Sequence, residues 1–157
     1  MEILPVRNGD ELDIIKVAER SWKYAYNDIY TDQYIQYWIN KYYAVNKIKT
    51  EIKNSIENAN PLFYGLFDHN VLVGFIEINK INKILLRFYL EPTYTGHGYG
   101  TQLFNTVEKI IMAEKISNLK LYVNQLNHNA ISFYKKLGFQ IIKEDNEDYI
   151  MEKYYNK

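Results

Sequence analysis

The stretch that most constrains this chain runs from Leu85 to Glu108. An apolar segment, Leu85–Leu90, passes through Glu91-Pro92-Thr93-Tyr94-Thr95 into Gly96-His97-Gly98-Tyr99-Gly100. Beyond it Leu103, Phe104, Val107, Ile110 and Ile111 recur at helical spacing. A strand, a glycine-rich turn and a helix start therefore lie in one piece. The first turn of a helix carries backbone N–H groups without intrahelical partners, and the macrodipole adds roughly half a positive charge there. Glycines remove the Cβ atoms that would keep a ligand off those donors. The result is a site for phosphate or pyrophosphate. Two common phosphate loops do not match. Gly100 is followed by Thr101-Gln102, not the lysine of a Walker loop, and Gly-x-Gly-x-Gly departs from the Gly-x-Gly-x-x-Gly of dinucleotide folds.

Two segments together carry a resemblance. Thr95–Gly100 resembles the Gln/Arg-x-x-Gly-x-Gly/Ala loop of the GCN5-related N-acetyltransferases, which grips the pyrophosphate of acetyl-CoA. Downstream, Leu121-Tyr122-Val123 and then Asn127, Ala130, Phe133, Tyr134, Gly138 and Phe139 resemble that family's second signature, a strand followed by Asn-x-x-Ala-x-x-Phe/Leu-Tyr-x-x-x-Gly-Phe. The resemblance covers Lys83 to Phe139, with one departure: Thr95 stands where the family usually has Gln or Arg. It implies an α/β fold, with a mixed, mostly antiparallel central sheet of about six or seven strands splayed in the middle and about four or five flanking helices.

Composition sets outer bounds. The 157 residues fit a single domain over residues 1–157, and a chain of about 150 residues buries roughly 70% of the surface its unfolded form exposes. With 19 basic and 19 acidic residues, no global field would hold nucleic acid or an anionic membrane. Cysteine is absent, which excludes a disulfide scaffold, thiolate metal sites and a cysteinyl acetyl-enzyme. No apolar run approaches the roughly 18–20 residues of a membrane helix. Met1–Pro5 lacks a basic region ahead of an apolar one, so no secretory leader is expected. A cytoplasmic location is the default. The 16 tyrosines and the preference for lysine over arginine read as codon bias; without a basic groove, stacking of these tyrosines on single-stranded nucleic acid is not expected.

In chain order, Glu2–Val6 reads as a strand and Asp10 as the N-cap of a helix from about Glu11 to Tyr26. Thr31 caps a second helix carrying Tyr34, Ile35, Trp38 and Ile39, and a third runs over Asn46–Asn58. Leu62–Phe67, Val71–Asn79 and Asn82–Leu90 form a meander, with Asp68-His69-Asn70 as a hairpin loop. The glycine loop and its helix follow, ending near Lys115. Then come a strand over Asn118–Val123, a helix over Leu126–Lys136 closed by Gly138, and strands over Phe139–Glu144 and Asp148–Tyr155.

An amine acetyltransferase must bind acetyl-CoA, take a proton from an ammonium of pKa near 10 and protonate a departing thiolate. For the co-substrate, Thr95, Gly96, His97, Gly98, Tyr99, Gly100 and Thr101 are expected at the pyrophosphate. By resemblance, the backbone of Phe88, Tyr89 and Leu90 meets the pantetheine and acetyl carbonyl, Asn127 bonds the pantetheine, and Lys136 meets the 3′-phosphate. Asn127 also suits a helix cap, and Lys136 an exposed helix surface. Tyr134 matches the family's acid beside the sulfur; its alternative is to pack the helix on the sheet. Many relatives that acetylate polyamines carry a glutamate in the central strand, and Leu86 stands at that position here. Glu77, a carboxylate inside an apolar strand, is the substitute: burial would raise its pKa, and it would take the amine proton through water. The alternative is that Glu77 points to solvent.

The three histidines have no metal-ligand spacing, and no Gly-x-Ser-x-Gly elbow occurs. No metal is expected. For the acceptor, Ser21–Tyr26 with Ile29-Tyr30 resembles the first-helix region of PaiA-type polyamine acetyltransferases. Glu144, Asp145, Glu147 and Asp148 crowd the last hairpin, where a polycation would be drawn, although a solvated turn would look the same. Trp22, Tyr26 and Asp148 are thus expected at the acceptor, with Trp22 equally suited to the core. The resemblance implies a small-molecule amine as partner and is compatible with a homodimer. Two rivals stay open: acetylation of a protein N-terminus or lysine, and a CoA-binding sensor without turnover.

Overall fold

A computed structural model describes Met1–Tyr155. The strands are β1 (Glu2–Pro5), β2 (Leu62–Asp68), β3 (Val71–Asn79), β4 (Ile84–Leu90), β5 (Asn118–Asn124), β6 (Gln140–Asp145) and β7 (Asp148–Tyr154). The helices are α1 (Glu11–Tyr26), α2 (Asp32–Tyr42), α3 (Val45–Asn58), α4 (Tyr99–Ala113) and α5 (His128–Lys136), with a 3₁₀ turn at Pro92–Tyr94. The strands form one sheet in the order β1-β2-β3-β4-β5-β7-β6. Every neighbouring pair is antiparallel except β4–β5, which is parallel.

Each helix presents one apolar stripe to this sheet. Ile14, Val17 and Ala18 of α1, Ile35 and Ile39 of α2, and Ile48 and Ile52 of α3 bury one face together with Phe63, Phe67 and Phe75. Leu103, Phe104, Val107 and Ile111 of α4 bury the other with Ile76, Ile78, Phe88, Leu121, Phe139 and Met151. Covered on both faces, β3 reads as a continuous apolar run.

Two irregularities position the site. The β3–β4 register passes from Glu77↔Arg87 to Ile78↔Leu85, leaving Leu86 as the extra residue of a β-bulge, a device that re-aims nearby side chains. The parallel neighbours β4 and β5 meet at Ile84↔Lys120 alone. Beyond that point β4 keeps β3 on one side and has a free edge on the other.

Local chemistry differs from the sequence reading in small ways. Asp10 occupies the N-cap position of α1 without capping it; its carboxylate turns back to accept from Arg7 N at 2.8 Å. Thr31 does cap α2, accepting from Tyr34 N. Asn82 and Lys83 belong to a turn rather than a strand, with Lys83 at φ 59°. Helix α5 starts at His128, after Asn127, and Gly138 closes it at φ 104°.

Candidate active site

The free edge of β4 leads directly to the glycine loop. Gly96 and Gly98 have φ of 78° and 84°, and the space where a side chain would stand is empty at both. Helix α4 starts after Gly98 with no side chain capping its first turn, so its leading N–H groups face outward. Gly100 serves another purpose: a methyl there would come within 3.1 Å of the Phe133 ring and 3.2 Å of Leu90. It lets α4 approach α5 and the end of β4. Thr95 donates its hydroxyl to Pro92 O at 2.8 Å, so its side chain is already occupied. His97 and Thr101 are exposed, and His97 lies edge-on to Tyr99. An uncapped helix start, open glycine positions and an unpaired strand edge fit the pyrophosphate and pantetheine of coenzyme A.

Tyr134 sits on α5 against Phe88, Phe133 and Phe139. Burial raises its pKa, and the hydroxyls of Tyr89 and Tyr26 beside it add to the rise. The phenol stays protonated across the physiological range. Asn127 does two things at once: Oδ1 accepts from Ala130 N at 3.2 Å, capping α5, while Nδ2 donates to the Tyr26 hydroxyl at 3.3 Å. Ser21 of α1 donates to Leu90 O at 2.6 Å and pins the open end of β4. Lys136 lies exposed in the last turn of α5.

Glu77 is fully buried. Its Oε1 accepts from Arg87 Nη1 at 2.6 Å, and its Oε2 has no partner. The same Nη1 also donates to Glu51 of α3, and Arg87 Nη2 donates to Tyr42 O at 2.7 Å. Burial, together with Glu51 competing for one guanidinium, outweighs the pull of Arg87 and pushes Glu77 up to about 8. Burial works to lower the Arg87 pKa, but Glu77 and Tyr43 outweigh it and raise it, so Arg87 stays charged. Leu86, on the bulge, is 45% exposed.

Trp22, Tyr26 and Asp148 line one cavity of about 310 Å³, with Tyr30, Tyr89 and Glu147 among the other walls. Trp22 stands between Tyr43 and Tyr89; its indole N–H is close to the Tyr89 hydroxyl but has no partner in hydrogen-bond geometry. Burial raises the Asp148 pKa, with Asp145 and Glu147 adding to it. Of the four acids in the last hairpin, Glu147 and Asp148 reach the cavity. Gln125 clamps this turn, donating through Nε2 to Asn146 O and Asp148 O. Tyr26, a wall of the cavity, accepts from Asn127 at the head of α5, so the cavity opens beside the helix that carries Tyr134. Glu77 does not line it.

The acetyltransferase (GNAT) family profile matches residues 20–139. The chain belongs to that family. This acetyltransferase is 41% identical over 157 residues to spermidine N(1)-acetyltransferase of Thermoplasma acidophilum, covering 99% of this chain and 98% of that one. A crystal structure of PaiA N-acetyltransferase from Thermoplasma acidophilum in complex with coenzyme A superimposes with a TM-score of 0.94 at 40% identity, covering 98% of each chain. A GCN5-related N-acetyltransferase structure from Rhodopseudomonas palustris shares the fold, with a TM-score of 0.79 at 19% identity over 98% of this chain and 95% of that one.

The sequence reading missed three features of this acetyltransferase. The Ser21–Leu90 bond carries no sequence signal. Arg87 has one, as a rare arginine inside an apolar strand opposite Glu77. The aromatics beyond Tyr30 also have one: rings recur at every fourth position as far as Tyr42. Among the described residues no group of three or more His, Cys, Asp or Glu side chains could hold a metal ion, and no helix is long and apolar enough to cross a membrane.

Proposed function

We propose that this acetyltransferase moves the acetyl group of acetyl-CoA to a primary amine of a polyamine such as spermidine or spermine. One observation carries the reading: Trp22, Tyr26, Glu147 and Asp148 share a cavity whose wall Tyr26 is bonded to Asn127 at the head of the helix that carries Tyr134. Aromatic faces and carboxylates together suit a chain of methylenes bearing ammonium groups. The 41% identity to a spermidine N(1)-acetyltransferase supports it.

Acetyl-CoA supplies the activated thioester. The first turn of α4 and the loop from Thr95 to Thr101 hold its pyrophosphate, with Lys136 near the 3′-phosphate. Phe88, Tyr89 and Leu90 offer backbone groups to the pantetheine, and Asn127 orients it while fixing Tyr26. Asp148 holds the amine in its charged form. Glu77 lies outside the cavity, so the proton that the amine must lose reaches it only through intervening water; the neutral nitrogen then attacks the acetyl carbon as the carbon–sulfur bond breaks. Tyr134 gives its phenolic proton to the departing sulfur, and the second proton, which the newly acylated nitrogen sheds, restores the phenol. A cytoplasmic location and a homodimer are compatible with this reading; cell fractionation and light scattering test them.

The experiment is CoA release from acetyl-CoA by the purified protein against spermidine, spermine, short diamines, amino acids and peptides. Polyamines are expected to be turned over, and Tyr134→Phe to lower kcat by about 10²- to 10⁴-fold. Turnover of peptides in preference to polyamines would overturn the acceptor; an unaltered Tyr134→Phe would overturn the acid.

A further inference from the structure

The acceptor cavity has one wall that holding a single amine does not require. Rings stand at Tyr26, Tyr30, Tyr34, Trp38 and Tyr42, and each touches the next, with centroids 5.6, 4.6, 6.1 and 5.3 Å apart in that order. They are not the core stripe of α2. That stripe is Ile35 and Ile39, each 1% exposed, whereas Tyr34 and Tyr42 are 40% and 43% exposed. The ladder lines a cavity to which Tyr122, Glu147 and Asp148 also contribute. Half-solvated rings and carboxylates in one cavity make a surface for a ligand that is apolar along its length and positive at intervals. Methylenes cover ring faces, and an ammonium within about 6 Å of a centroid is drawn to the ring.

The chain supplies its own example. Lys41 Nζ lies 5.0 Å from the Trp38 centroid and 5.9 Å from that of Tyr42, and Lys47 Nζ lies 5.9 Å from Tyr42. Alkylammonium groups therefore already rest on Trp38 and Tyr42, the last two rings of the ladder, from lysines that do not themselves line the cavity. Those two fixed charges also repel any further cation that reaches them.

We propose that Tyr30, Tyr34 and Trp38 form a track for the methylene chain and second ammonium of a linear polyamine, with the charges of Lys41 and Lys47 beside its last rings, Trp38 and Tyr42, setting its outer limit. The ladder thereby sets the length of amine that the enzyme prefers. This rests on the polyamine reading and adds a length rule to it.

The test compares 1,3-diaminopropane, spermidine and spermine in the wild type, Tyr34→Ala and Lys41→Ala, first by steady-state kinetics and then by titration of the CoA-bound protein. Tyr34→Ala is expected to raise KM and Kd for spermidine about two- to fivefold more than for the diamine. Lys41→Ala is expected to lower both for spermine relative to spermidine, because a repelling charge is gone. This second variant keeps the proposal testable should Tyr34→Ala fold poorly, since loss of an exposed lysine cannot improve one amine selectively through stability alone. Equal shifts for all three amines, or none, overturn the track. If the wild type acetylates no polyamine, the functional reading fails instead, and the titration alone decides whether the wall discriminates by length.

Discussion

Glu77 shows how much one buried side chain can govern. Its carboxyl is raised from the ordinary 4.5 to about 8, so between those values the folded protein binds a proton that the unfolded chain has released. Stability contributed by this group is therefore largest at low pH and falls as pH rises through the window, by up to about 1.4 kcal/mol per pH unit. Urea melts at pH 5 and pH 8 should show the wild type losing more stability than Glu77→Gln over that interval. On the proposed role, turnover rises as Glu77 ionises near pH 8, and Glu77→Gln should lose that limb. Normal turnover by the variant from pH 6 to 9 would leave the base role without support. The sequence announced a carboxylate inside an apolar strand. It did not announce Arg87 as its partner, because the pairing depends on the bulge at Leu86 and on α3 delivering Glu51 from elsewhere in the chain.

At the scale of elements, the loop into α4 is where local sequence and local structure agree best. Gly96 and Gly98 need positive φ and Gly100 needs closeness, all from short-range signals. Gly98→Ala should cost about 1–2 kcal/mol through its left-handed backbone and weaken acetyl-CoA binding by placing a methyl in the space over the helix start. Thermal melts and a binding titration read the two effects separately. Thr95 was legible as a departure from the family pattern, and its hydroxyl is occupied by Pro92 O. Helix ends were less legible. Asp10 looks like a cap and serves Arg7 instead, since a short acid competes for whichever backbone N–H the turn brings nearest. The aromatic ladder was half legible: its spacing is in the sequence, but Ile35 and Ile39 had to be seen in the core before the rings could be read as facing elsewhere.

Across the whole molecule, the sheet is two blocks, β1–β4 and β5–β7–β6, sharing one bridge between Ile84 and Lys120. The order of elements was readable from periodicity, whereas the splay came only with the family resemblance, because no side-chain pattern encodes the absence of a strand pair. Coenzyme A on the free edge of β4 should join the blocks. Saturation at about a hundred times Kd adds roughly 2.7 kcal/mol, and hydrogen exchange should slow at the amides of Phe88 to Leu90; unchanged exchange there would place the cofactor elsewhere. The free edge has another consequence. An unsatisfied strand edge is a template on which foreign chains assemble, and most proteins keep such edges at the rim of a sheet, blunted by charge. Here it lies inside the sheet, between β4 and β5, with Phe133 and Tyr134 of α5 packed on Phe88 beside it, and the flanking strands leave less room for a second sheet than a rim would. The protein can thus carry an open ladder of backbone groups in its interior without becoming a seed for its own aggregation.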